Sequence, residues 1–524
     1  MSTAVAEAPA TPVGQPPRSA SSQRWLVTAA VMAGTMSTVL ASTIVNVALP
    51  DIMGAFGMGQ DQAQWMATGF LASMTATMLT AAWFVARVGL RATFVTAMLL
   101  FVLSSCIAGF ATSEAELIAM RVVQGAAAGV TQPLAMIAMF SVFPLHQRGM
   151  AMGIFGLGVV LAPAIGPTIG GILIDQYNWR VVFFFVMPFS IAAIFLGSAF
   201  LPGRAANAIS KPFDFLGFGL LCAALVLVLT GLANGQREGW SSAYILGLLG
   251  SGMLLGAGFI VWQTQARHPL LELSLLRYRV FASACIVAFI YGAGLFGSTY
   301  LVPLFGQGIQ RLTPEGVGLI LMPSGLVLAL IFPVSGRLSD RLPAPLLVCT
   351  GLFLFGISSL LMKAIDARTA FWSLAAWIAI GRIGLGVMLP ALNAGGVRSL
   401  PPAVLGQGAG MLNFVRQLGG AFGTNLLSVL LGERIAFHAN ALAATQNGDL
   451  TITYSWLASF EALLAQGGVP DGLPQQYGAL YHLGRVIYLQ AYTQAFQDCF
   501  IVVSALFFAA MLPALLMYAK RVKQ

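Results

Sequence analysis

Apolar residues run along this chain in fourteen long blocks with polar segments between them. A helix crosses about 30 Å of hydrocarbon with roughly 20 apolar residues, and the blocks at 27–49, 65–85, 94–111, 116–140, 150–173, 181–201, 213–233, 243–262, 280–303, 316–335, 345–362, 371–390, 405–430 and 498–518 come close to that length. They are continuous rather than alternating, and about twice as long as a membrane strand needs, which favours helices over a barrel. Of the 524 residues 58% are hydrophobic and only 8% charged, a balance foreign to soluble globular chains. The pattern predicts an all-α integral membrane protein.

The segment 1–24, rich in Ala, Pro and Ser, reads as a disordered tail. The apolar block after it is too long for the core of a cleaved signal peptide, so the chain is expected to be retained whole. Arg87, Arg91, Arg148, Arg204, Lys211, Arg337, Arg341, Arg398 and Lys520 all fall on the side of the N-terminus, against Arg180, Arg237, Arg311, Lys363 and Arg368 among few others opposite. Both termini are therefore expected to be cytoplasmic. These loops and contact with anionic lipid account for the net charge of +9, which does not point to nucleic acid. Cys106, Cys222, Cys285, Cys349 and Cys499 lack metal-ligand spacing, and His146, His268, His438 and His482 lie apart, so no metal is expected. Gly153, Gly156 and Gly158 sit inside an apolar block with no Walker Lys after them, so neither a nucleotide site nor an enzyme is expected. Without a cofactor, the energy for any work is expected from an ion gradient.

Similar features recur along the chain. Arg87-Val88-Gly89-Leu90-Arg91 follows the second block and Arg337-Leu338-Ser339-Asp340-Arg341 the tenth, while Arg121 opens the fourth and Arg382 lies in the twelfth. The spacing implies two six-helix bundles as parallel repeats, at 25–203 and 265–524, with two additional central transmembrane helices at 204–264. Two facing bundles offer a mid-membrane cavity that opens to either side by rocking, and no segment resembles a channel filter. Transport of a solute is the reading this favours, ahead of a non-transporting scaffold.

The sequence also carries a motif set. Arg121-Val122-Val123-Gln124-Gly125, then Gly158, Pro163, Gly166-Pro167 and Gly170-Gly171, together with Thr43 to Pro50 in the first span and Arg416-Gln417-Leu418-Gly419-Gly420 in the thirteenth, resemble the major facilitator superfamily. The resemblance runs from about Trp25 to Lys520 and is strongest to its fourteen-span drug:proton antiporter branch, typified by EmrB and QacA. It implies the major facilitator fold and proton-coupled multidrug efflux across a bacterial inner membrane, with a part in antibiotic resistance. Read physically, the glycines of the fifth span let a neighbouring backbone approach and its prolines favour bends, making a tight, bent seam between the bundles.

An arginine within an apolar helix must face the bundle interior or a wet cavity, at a cost of about 2.5–3.5 kcal/mol on translocon scales. Arg121 stays charged, so its expected role is to bias a carboxylate or organise water, or alternatively to bind carbonyls as a packing ion. Arg416 and Arg382 fall in the same class. The resemblance implies acidic side chains at two positions occupied here by Ala41 and Ala86. The proton carrier is thereby left open, with Asp51, Asp214 and Asp340 as candidates; Asp214 equally suits a helix cap and Asp51 a solvated loop. Asp340, paired with Arg341 or capping a neighbouring helix, is expected to latch the halves in one closed state, while Ala86 makes the latching asymmetric.

Thr38, Ser42, Asn46, Trp65, Thr68 and Phe70 from the first two spans, with Tyr291, Phe296 and Tyr300 from the ninth, are the expected cavity lining. Apolar and aromatic walls with neutral hydrogen-bonding groups suit an amphipathic small-molecule substrate, neutral or weakly acidic given Arg121. The long loop 432–497 is expected to form short helices over the external mouth. In EmrB-like pumps that face resembles the docking site of a periplasmic membrane-fusion adaptor leading to an outer-membrane channel; shielding of the cavity is the plainer reading. The missing acids keep a gradient-driven uptake carrier or uniporter as the alternative.

Overall fold

The computed structural model describes residues 18–203, 212–446 and 451–518, and the secondary structure there is helical, without strands. The elements are α1 (Arg18–Phe56), α2 (Gln60–Met78), α3 (Ala81–Val88), α4 (Leu90–Phe110), α5 (Glu114–Val142), α6 (Arg148–Gln176), α7 (Val181–Phe185), α8 (Met187–Phe200), α9 (Phe215–Glu238), α10 (Ala243–Gln265), α11 (Arg279–Gly308), α12 (Pro314–Arg341), α13 (Ala344–Leu361), α14 (Phe371–Arg398), α15 (Leu405–Ala444), α16 (Thr451–Gln466), α17 (Leu473–Ala509) and α18 (Met511–Leu516). Among the described residues twelve helices are long and apolar enough to cross a membrane, thirteen if α2 and α3, bent by 55°, are one span. The 29-residue α6 packs along α1 and α12 as a further long helix of the bundle. Local signals set several starts: the Ser113 side chain accepts from the Glu116 N–H at the head of α5, where Glu114 and Glu116 meet the helix dipole.

The two halves repeat one packing scheme. In the first, α1 lies on α6, α2 on α5 and α4 on α5; in the second, α11 lies on α15, α12 on α14 and α13 on α14. Lipid gives helices no hydrophobic reason to associate, so they close through small residues that admit a neighbouring backbone. Gly125 and Gly129 of α5 lie against the carbonyls of Phe70 and Met74, and Gly292 of α11 lies against the carbonyl of Arg416. The pair α9 and α10 packs together, with α9 touching α2 and α15.

The halves meet chiefly at the ends of the spans that face the basic loops. There α6 lies on α12: a Cβ on Gly153 would meet the Gly336 Cα at 2.9 Å, and one on Gly336 would meet the Met150 Cα at 3.0 Å. The Asp340 carboxylate accepts from the N–H groups of Gly149 at 2.7 Å and Met150 at 3.0 Å, so an acid of one half caps a helix of the other. On the second side of the seam a Cβ on Gly410 of α15 would meet the Met78 carbonyl at 3.1 Å, and Gly406 lies against Ala82. Ala86, exposed at the end of α3, offers no carboxylate there.

Several expectations need correction. The motif glycines of α6 do not form the seam between bundles: Gly158 lies against Met32, Gly166 against Thr43 and Gly170 against Ile44, all on α1 of the same half, while Gly171 has open space. The contacts with the other half come earlier, from Gly149, Gly153 and Gly156. The side chains of Pro163 and Pro167 lie outside the described residues. Most of the expected tail, 1–17, also lies outside them, but the helix already runs from Arg18.

The external segment is not mainly short helices either. Helix α15 continues for 40 residues, about 60 Å, and α17 starts at Leu473, with α16 packed on it through Phe460 and His482 at 4.5 Å between ring centroids. An apolar run marks where a helix leaves the membrane, not where it ends, and Ala436, Ala439, Ala441 and Ala443 sustain α15 in water. The sixth span, Val181–Phe200, comprises α7 and α8, joined through Val186, which keeps a right-handed helical backbone.

Loss of the Asp340 cap is expected to open the seam. In a background with the five native cysteines replaced, a cysteine at Leu389, which is buried opposite Gly156, should react with an impermeant maleimide about tenfold faster in Asp340→Ala than with Asp340 present. Equal labelling rates would remove Asp340 from the closure.

Candidate functional site

Arg121 is 1% exposed and fixed entirely by neutral oxygen and an aromatic face. Its Nε donates to the Met66 carbonyl at 3.3 Å, and its Nη1 to the Ala41 carbonyl at 3.3 Å and to Gln124 Oε1 at 2.9 Å. The guanidinium lies 4.2 Å from the centre of the Phe70 ring, and Gln124 is held by the Ser105 hydroxyl at 2.7 Å. One side chain thus ties α5 to α1 and α2. It takes the backbone of Ala41 at the position where the resemblance implies an acid, and none of these partners exchanges a proton near neutral pH.

The second half carries a less satisfied cluster. Arg416 of α15, 4% exposed, donates through Nη2 to Asn413 Oδ1 at 2.6 Å and, across the seam, to Gln132 Oε1 of α5 at 3.4 Å. Among the described residues its Nη1 is buried with no hydrogen-bond partner, and so is the hydroxyl of Tyr291, a fully buried residue of α11. Arg382 of α14 is half-buried, with Nη2 3.5 Å from the hydroxyl of Thr299, which is exposed.

The remaining candidates scatter. Trp65 and Asn46 are exposed, Ser42, Phe296 and Tyr300 half-buried, and the Tyr300 hydroxyl contacts Ser428 Oγ at 3.1 Å. Thr38 and Thr68 are buried, the Thr38 hydroxyl donating within its own helix to Thr35, and Phe70 belongs to the Arg121 clasp. Asp51 is exposed on α1. Asp214 caps α9 at the Gly217 N–H and accepts from Trp262 Nε1 at 2.9 Å and Gln263 Nε2 at 2.8 Å, a staple between α9 and α10. Asp340 caps α6 rather than pairing with the exposed Arg341. Asp214 and Ala86 line a cavity of about 450 Å³ at the basic ends of α3, α9 and α15.

Three residues escaped the sequence reading. Asp498 accepts from Arg434 Nε and contacts His438 Nε2, both at 2.7 Å, tying the extension of α15 to α17; placing the external loop at 432–497 had hidden that pairing. Gln132 and Asn393, buried amides on apolar helices, are legible only as isolated polar residues. Among the described residues no group of three or more metal-ligating side chains is gathered.

Removing the Arg121 clasp should loosen the first half. Arg121→Leu is expected to lower the unfolding midpoint in detergent, because hydrogen bonds to a charged group contribute about 1.5–3 kcal/mol each. Arg121→Lys, whose ammonium cannot span three acceptors in one plane, should fall between. An unchanged midpoint in Arg121→Leu would show that the clasp does not hold these helices.

Comparison with known proteins agrees with this architecture. A family description, Major Facilitator Superfamily, matches residues 31–424. The multidrug transporter protein MdtP of Bacillus subtilis is 29% identical over 414 residues, 79% of this chain and 76% of that protein. The multidrug export protein EmrB of Haemophilus influenzae is 28% identical over 434 residues, 82% of this chain and 85% of that one. The crystal structure of the human organic anion transporter MFSD10 (TETRAN) shares the fold, with a TM-score of 0.59 at 17% identity, covering 96% of this chain and 100% of that one. A family match over most of the chain, on two halves that repeat one helix packing, means that this protein belongs to the major facilitator superfamily.

Proposed function

We propose that this protein exports amphipathic organic molecules across a bacterial inner membrane by alternating access, in exchange for protons. The observation that carries the reading is the seam: two repeated halves touch where α6 meets α12 and α15 meets α2 and α3, and Asp340 caps α6 across it. Contacts gathered toward one end of a two-bundle protein are the kind that rocking makes and breaks. With Arg87, Arg91, Arg337 and Arg398 exposed there, that end is assigned to the cytoplasm.

Multidrug transport named for MdtP and EmrB favours hydrophobic drugs as cargo. The outward extensions of α15 and α17, with α16 against them, are the surface we assign to a membrane-fusion adaptor, by analogy with EmrB-like pumps. Asp51, Asp214 and Asp340 are the acids to test for the proton. Asp214 and Asp340 each cap a helix, so replacing them also disturbs packing, and the exposed Asp51 takes priority. A second reading, uptake or uniport without proton exchange, is favoured by one observation, the Ala41 carbonyl against Arg121 in place of an acid.

The test is proton movement through the purified protein in liposomes under an imposed pH gradient. Antiport predicts proton flux that appears only when an amphiphile is added and that moves opposite to it. Solute flux unchanged when the pH gradient is collapsed would overturn antiport and establish the second reading.

A further inference from the structure

We propose that Arg416, Arg382 and Tyr291 form a binding subsite for the anionic group of an amphipathic substrate, a carboxylate or phenolate carried on a hydrophobic body. The proposal deepens the transport reading above by naming a substrate class, and rests on it for the route but not for direction or coupling.

The three side chains come from α15, α14 and α11, well inside their helices. The approach of Gly292 to the Arg416 carbonyl brings Tyr291 to the Arg416 level, and Arg382 reaches the same helix, α11, with Nη2 3.5 Å from the Thr299 hydroxyl. Two guanidiniums thus border the helix that carries one buried phenol. An arginine does not escape this situation by losing its proton. Buried cations need acceptors, and uncompensated ones are strongly destabilising.

The unmet valences point to what is missing. Arg416 Nη1 and Tyr291 Oη are both buried without a partner among the described residues, and both are donors available to an oxyanion. Arg121 provides the contrast within the same chain: none of its nitrogens is buried and orphaned, because three oxygens of the first half already serve it. Access is through Arg382, half-buried beside the exposed Thr299. The Phe296 ring lies against Gly420 where α11 meets α15, the Phe289 ring lies 6.4 Å from that of Phe422, and Phe289 and Phe296, both half-buried, supply apolar wall for the rest of the molecule.

The experiment compares a hydrophobic arylalkanoate with its methyl ester, two ligands of nearly the same shape that differ in charge. Binding is measured on the full-length protein in lipid nanodiscs at neutral pH. The carboxylate should bind at least tenfold more tightly than the ester. In Arg382→Gln, a change on the accessible wall, carboxylate affinity should drop about tenfold and ester affinity stay put, while Tyr291→Phe should cost about threefold for the carboxylate alone. Arg416→Lys, which keeps the buried charge, should retain part of the preference. Equal affinity for the two ligands in the unmodified protein, or a preference that survives Arg382→Gln, would overturn the subsite. Parallel liposome flux separates the two ideas: an ester that is transported without any preference for the acid leaves export standing and removes the subsite. An acid that binds in an Arg382-dependent way but is never moved leaves the subsite and removes export.

Discussion

A bilayer offers helices no gain from hiding apolar surface, so everything in this protein depends on backbones that approach one another at small residues. Within each half such contacts are long and repeated: Gly125 and Gly129 against α2 in the first, Gly292, Gly419 and Gly423 between α11 and α15 in the second. Between the halves the same device recurs at Gly149, Gly153, Gly156 and Gly336, and at Gly406 and Gly410, toward one end of the spans. Contact along the helices holds each bundle together, while contact gathered toward one end, with a carboxylate cap, can be exchanged as the bundles rock.

Charge is distributed just as unevenly. Three arginines lie within membrane helices, and acids are kept to the ends of spans and the loops among the described residues. In the first half Arg121 donates to two carbonyls and an amide and acts as a clasp. In the second, Arg416 keeps a buried Nη1 and Tyr291 a buried hydroxyl without hydrogen-bond partners among the described residues. At Ala41 the guanidinium is met by backbone oxygen rather than by a carboxylate.

Much of this was legible in the chain. Apolar runs located most of the spans, although α1, α14, α15 and α17 run well beyond them, and the echo of Arg121 by Arg382 and of Arg87-to-Arg91 by Arg337-to-Arg341 anticipated the repeated packing. Asp340 as a cap also followed from its place at a span end. Which face of α6 touches which neighbour did not, since Gly149, Gly153, Gly158 and Gly166 look alike in a sequence and only the packing separates them into a seam and an intra-half contact. Tyr291 appeared as a cavity aromatic, yet it is fully buried, because burial of a side chain depends on helix rotation that apolar runs this uniform leave undefined. The Asp498 cluster was hidden for a different reason: hydropathy ends a span where the lipid ends, while α15 and α17 continue into water.

The most direct test of halves that rock about a seam is a pair of spin-label distances measured by double electron–electron resonance. One pair, at His146 and Arg337, spans the halves at the basic face, and the other, at Thr112 and Arg368, spans them at the opposite face; all four residues are exposed. Rocking predicts that a transported amphiphile lengthens the first distance and shortens the second together. Two distances that stay fixed, or that change independently of one another, would contradict it.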